Sequence, residues 1–223
     1  MDNRLNLRLV VFDVDGTLID SQHNIAAAVA DAWRAEGLTP PGAEKVRRNI
    51  GLPLEEAIAA LIPEAEREFH LHLTDLYKQA FAANRQRADY VEPLYPGVLE
   101  ALDWLEANDY LLGIATGKSR RGLDAVFERH HLRHRFVTVQ TADDAPGKPN
   151  PGMLLNAMQE TGAEALRTSM VGDTWFDMQM AANAGTRAIG VDWGYHDVSE
   201  LKQAGALRIL SAFAELPGAV ADL

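Results

Sequence analysis

Cysteine is absent from the 223 residues. That excludes a disulfide framework, a thiolate zinc site and a cysteine nucleophile. Long hydrophobic runs are absent too. No segment approaches the ~18 consecutive apolar residues of a membrane span. The first apolar run, Leu9–Phe12, is short and ends in acids, unlike the core of a signal peptide. The expectation is a cytoplasmic protein with no membrane partner. Basic residues are in deficit: 21 Lys and Arg stand against 32 Asp and Glu, a formal net charge of −11. Such a surface repels a phosphodiester backbone, so nucleic acid is not expected as a partner. A small phosphorylated ligand stays open, because a few local cations suffice to hold it. Charge does not count subunits, and monomer and homodimer both stand.

The apolar fraction, 47%, is that of an ordinary globular chain long enough to bury a core without staples. Short β-rich runs occur at Leu9–Phe12, Leu111–Ala115, Phe136–Val139, Ser169–Val171 and Arg187–Val191. Runs such as LVVF and LLGIA suit strands covered on both faces. Between them, Gly97–Asn108, Ser119–His130 and Pro151–Glu160 carry apolar residues at helical spacing. Alternating strand and helix predicts an α/β fold, a Rossmann-like parallel sheet with helices on both faces. From Ser21 to Tyr90 no strand is expected. Ile25, Ala28, Val29, Ala32 and Trp33 follow helical spacing, as do Leu54, Ile58 and Leu61, and then Phe69, Leu73, Leu76, Tyr77 and Ala80. A helical stretch of this length exceeds any ordinary crossover and reads as an inserted all-helical domain. The return linker is VEPLYPG, with Pro93, Pro96 and Gly97 as punctuation. Residues 1–18 and 91–223 are then the α/β core and residues 19–90 the helical insert.

Asp13, Asp15, Gly16 and Thr17 follow directly on LVVF. Ligands of open parallel sheets bind beyond the carboxyl ends of strands. Two acids this close repel by about 1 kcal/mol in water, and several times that near a protein surface. A hard cation with oxygen ligands is the natural compensation. A calcium loop of the EF-hand type would need Gly and Glu where Leu18 and Asn24 stand. Gly16 permits a tight turn, in which the Thr17 hydroxyl is expected to bond the backbone. Other strand ends carry matching groups. Thr116, Gly117 and Lys118 open a helix, where a hydroxyl and free N–H groups suit an anion. Asp173 and Asp177 follow the fourth strand and can complete a divalent-cation site. Lys148, in GKPNP, can set a point charge on phosphate.

DVDGTL at Asp13–Leu18, ATGK at Ala115–Lys118, GKPNP at Gly147–Pro151 and GDTWFD at Gly172–Asp177, in this order, resemble the haloacid dehalogenase superfamily of hydrolases. Within it the chain is similar to phosphatases of the phosphoglycolate phosphatase type, and the resemblance covers essentially its whole length. The helical insert looks like the family's C1-type cap. The resemblance implies Asp13 as nucleophile, forming an aspartyl-phosphate, and Asp15 as general acid and then base. It implies Mg2+ held by Asp13, the Asp15 carbonyl and Asp173, with Asp177 ligating directly or orienting a bound water. Thr116, Gly117 and Lys148 would hold the phosphoryl oxygens. Oxygen ligands suit Mn2+ as well as Mg2+. An aromatic residue stands in place of Asp15 in true dehalogenases, so Asp15 favours phosphate esters. A sugar phosphomutase shares both acids and stays an alternative, as does a catalytically silent binding protein. In the insert, VRRNIGLPLEE resembles a specificity loop, with Arg48, or Arg47, expected to meet a substrate carboxylate or a second phosphate. Phosphoglycolate is the leading substrate candidate. Lys118 is expected to order its loop. Trp175, Trp193 and Tyr195 are expected chiefly to pack, and His130, His131 and His134 to end a helix rather than bind metal.

Overall fold

A computed structural model describes residues 7–222; residues 1–6 of the expected core segment lie outside it. Six strands form one parallel sheet: β1 Arg8–Phe12, β2 Tyr110–Ala115, β3 Thr138–Gln140, β4 Thr168–Gly172, β5 Arg187–Val191 and β6 Arg208–Leu210. Their spatial order is β3-β2-β1-β4-β5-β6. Chain connections run outward on either side of the β1/β4 pair, so the topological switch point lies between those two strands. Val10 and Phe12 face one layer, with Leu102 and Leu105 of α5 (Val98–Ala107) and Leu123 and Val126 of α6 (Arg120–His130). Leu9 and Val11 face the other, with Met153 and Leu154 of α7 (Gly152–Thr161) and Met178 and Ala181 of α8 (Trp175–Ala184). Two-residue alternation along a strand enforces this division, and LVVF is fully apolar because both faces are covered.

Between β1 and α5 lie four helices: α1 Gln22–Ala35, α2 Ala43–Arg47, α3 Leu54–Leu61 and α4 Arg67–Asn84. Their own core contains Val29, Trp33, Ile58, Leu61 and Leu73. The linkers into and out of this segment bond to each other. Asp20 N–H donates to Pro93 O and Tyr95 N–H to Leu18 O, both at 2.9 Å.

Three details differ from the sequence expectation. The third strand starts at Thr138 because Phe136 is drawn onto Phe127, the rings stacked at 5.5 Å. The edge strand β6 is only three residues long, too short to signal itself by alternation. It is flanked by two short helices, α9 Val198–Gln203 and α10 Leu216–Ala221, which were not anticipated either. No helix among the described residues is long and apolar enough to cross a membrane.

Candidate active site

Asp13 stands one residue beyond β1, and Asp173 one residue beyond β4. The register Phe12↔Val171, continued by a 2.9 Å bond from Asp13 N–H to Val171 O, sets the two ends side by side. Asp177 reaches the same point from the first turn of α8. One of its oxygens accepts from the Thr174 hydroxyl at 2.6 Å and the Thr174 amide at 3.1 Å, a capping box that starts the helix. Its other oxygen lies 2.6 Å from Lys148 Nζ, which is also 2.9 Å from Asp13 Oδ2. Lys148 comes from the loop before α7, and all four side chains are buried.

Carboxylate oxygens of Asp13, Asp173 and Asp177 lie within 4.8 Å of one another. Three carboxylates against one ammonium leave a formal charge of −2 among buried side chains. Burial pushes the Asp13 carboxyl up to about 6; Lys148 opposes that and Asp177 adds to it. Burial and the neighbouring acids push Asp173 up as well, against hydrogen bonds from Thr17 and Tyr195. Burial alone would lower Lys148, but Asp13 and Asp177 outweigh it and hold the ammonium above its ordinary range. Asp13 Oδ1 is buried and accepts no hydrogen bond. A divalent cation fits this set. The donors are all oxygen, one of them is unpartnered, and two positive charges would cancel the excess.

Asp15 points elsewhere. Its Oδ1 accepts from Ser21 Oγ at 2.6 Å and lies 2.9 Å from Lys118 Nζ. Its side chain is therefore outside the carboxylate trio. The Lys118 ammonium grips Asp15 and lies 3.9 Å from the buried Glu92. Thr17 bonds the Asp173 carboxylate at 2.8 Å rather than a turn amide. The Tyr195 amide holds the other Asp173 oxygen at 2.9 Å. Ser21, Glu92 and the Tyr195 amide were missed, since main-chain donors and serines carry no spacing signal. Gly16 has φ 82°, and a Cβ there would collide with the Asp173 carboxylate. The glycine is required twice over.

Thr116 is buried at the end of β2, and its hydroxyl accepts from the Lys118 amide at 3.2 Å. Gly117 lies beneath the carbonyls of Gly51 and Leu52 in the α2–α3 loop; a Cβ on it would sit 3.2 and 3.3 Å from them. That loop roofs a cavity of about 500 Å³, with Asp13, Asp15, Thr116, Gly117 and Lys118 on its floor.

Arg48 does not reach the cavity, contrary to expectation. Its guanidinium forms a two-point ion pair with Glu200 of α9, at 2.5 and 3.1 Å. Its carbonyl accepts from His196 Nε2 at 3.2 Å, while His196 Nδ1 accepts the Trp175 amide. Burial lowers the His196 pKa. Arg48 thus ties the helical segment to the core, because the chain between α2 and α3 turns its side chain toward α9 instead of inward. Arg47 pairs with Glu44 on the surface.

Trp193 packs on Tyr95 and Phe213, and Trp175 meets Phe176 edge-on. His130 and His131 lie at the carboxyl end of α6, with His130 Nε2 bonded to Glu92 O at 2.8 Å. A shallow groove of about 610 Å³ there contains His131 and His134 but none of the motif residues.

Residues 10–191 match the family model described as haloacid dehalogenase-like hydrolase. A protein of Dickeya dadantii (strain 3937), named "Probable phosphatase IndB", is 40% identical over 217 residues, covering 95% of this chain and 92% of that one. The phosphoglycolate phosphatase of Chromobacterium violaceum is 34% identical over 223 residues, covering 96% of each chain. The crystal structure of a hydrolase from Pseudomonas syringae superposes with a TM-score of 0.84 at 27% identity, covering 97% of this chain and 99% of that one.

Proposed function

The chain belongs to the haloacid dehalogenase-like hydrolase family, and from that premise we propose that it is a Mg2+-dependent phosphatase of a small phosphomonoester, acting through an aspartyl-phosphate on Asp13. Relatives named as phosphatases across nearly the full length support hydrolysis of phosphoric monoesters. The observation that carries the reading is the buried set of Asp13, Asp173, Asp177 and Lys148 at the switch point, with a cavity above it.

In the first step an Asp13 oxygen attacks phosphorus, the ester P–O bond breaks, and the leaving oxygen takes a proton from Asp15. In the second, Asp15 takes a proton from water as that water attacks phosphorus. The Asp13–phosphorus bond then breaks, releasing inorganic phosphate and restoring the carboxylate. Lys118 and Ser21 hold the Asp15 carboxylate in one orientation. The Thr116 hydroxyl, the Gly117 amide and Lys148 would donate to the phosphoryl oxygens, and Lys148 also offsets their charge. Asp13, the Asp15 carbonyl, Asp173 and Asp177 would hold Mg2+, whose charge lets a dianionic ester approach a carboxylate nucleophile. The helical segment would act as a cap hinged at the paired linkers, excluding water when closed over the α2–α3 loop.

The test is phosphate release from a panel of phosphomonoesters, phosphoglycolate as reference, with Mg2+ and with EDTA. Release confined to Mg2+, and abolished in Asp13→Asn, is expected, together with a phosphoryl group on the Asp13 peptide when turnover is stopped by a rapid acid quench. Isomerisation of a hexose phosphate without release would replace this reading by a mutase. Release that survives Asp13→Asn would remove Asp13 as nucleophile.

A further inference from the structure

The substrate class follows from the walls of the same cavity, and the argument rests on the phosphatase reading above. A volume of about 500 Å³ has room for roughly seventeen waters at about 30 Å³ each. Phosphoglycolate, an ester of a two-carbon acid, would fill roughly half of that at most. The polar groups lie on the floor, beside the reacting atoms. The walls come from the helical segment and are mostly hydrocarbon, with Ile25 and Val29 of α1, Ile50 in the roofing loop, Leu54 and Ile58 of α3 and Phe81 of α4, while Glu55, Asp75, Lys78 and Arg85 also border the space. A carboxylate pressed against the hydrocarbon side chains would lose its hydration without gaining a partner. The cation expected to receive one, Arg48, is held outside by Glu200. Lys118, on the floor, is taken by Asp15. Lys78 and Arg121 border the cavity with their side chains exposed to solvent, and Arg85, also on its border and with an unpartnered Nε, has its guanidinium over the Phe81 ring at 5.2 Å. The neutral polar groups of the wall are Asn49, whose side-chain amide donates to Lys45 O, Tyr77, and Thr74, which is 5% exposed and whose hydroxyl has no hydrogen-bond partner.

We infer that the substrate is a phosphomonoester whose alcohol carries a hydrocarbon-rich body of ring size, seated against the apolar face of the helical segment, rather than phosphoglycolate. Binding energy from that remote body would order the ester over Asp13. The experiment is a ladder of saturated primary n-alkyl phosphates, ethyl to octyl, which share one leaving group and differ only in apolar length. With Mg2+, kcat/KM should rise about fourfold per methylene until the cavity is filled, the worth of one buried methylene. Hexyl phosphate should exceed phosphoglycolate by roughly tenfold or more. Leu54→Asn and Ile25→Asn, made separately, should flatten the slope of the ladder. A level or falling ladder, or phosphoglycolate turned over faster than hexyl phosphate, overturns the substrate class and leaves the phosphatase reading standing. No release from any ester with Mg2+ overturns both.

Discussion

Raising the pH of the metal-free protein should weaken it, and Mg2+ should reverse the loss. An unfolded aspartate gives up its proton near 3.8, whereas burial holds Asp13 protonated up to about 6. Between those values the folded state binds more protons than the unfolded chain, so stability falls as pH rises. The separation, at about 1.4 kcal/mol per pKa unit, amounts to about 3 kcal/mol, absent below the lower pKa and complete above the upper. Asp173 is shifted in the same direction and adds to the loss. Mg2+ competes with protons for these carboxylates. At a hundred times its Kd it should restore about 2.7 kcal/mol near pH 7 and distinctly less near pH 5. Urea unfolding at pH 5 and pH 7, in EDTA and in Mg2+, measures all four corners. The same melts on Asp173→Asn isolate the cluster from the rest of the titrating surface, and the variant should show a shallower fall in EDTA. Equal slopes for the two proteins in EDTA, or equal Mg2+ stabilisation at both pH values, would refute the charge reasoning.

Lys148→Met leaves two buried carboxylates without their ammonium and should cost about 3–5 kcal/mol at pH 7 by urea unfolding. A cost below about 1 kcal/mol would mean that the pairs are not formed. Arg48→Ala removes a pair whose arginine is 42% exposed, so stability should move by less than about 1 kcal/mol. Its kcat/KM should stay within about tenfold of the parent, whereas a hundredfold loss with raised KM would make Arg48 a substrate ligand after all. Thr74→Val removes an unpartnered buried hydroxyl and should raise stability by about 1 kcal/mol; an equal fall would show that the hydroxyl is bonded.

Sequence alone determined the elements whose cause is local. LVVF and LLGIA had to be buried strands. It also determined which residue types stand at each strand end, and acids, a threonine and a lysine after successive strands of a parallel sheet have one place to meet. What it could not determine is which groups meet there and in what pairs. Thr17 and Asp173 are 156 positions apart, and Arg48 and Glu200 are 152 apart. Neither pairing leaves a periodicity to read: the first depends on β1 and β4 lying side by side, the second on how the helical segment packs against α9. The tertiary structure turned Arg48 outward, drew Lys118 onto Asp15, and walled the space above Asp13 with hydrocarbon. The groups at the strand ends are set by residue type and strand position, but the shape of the space above them is set by how the helical segment packs over those ends.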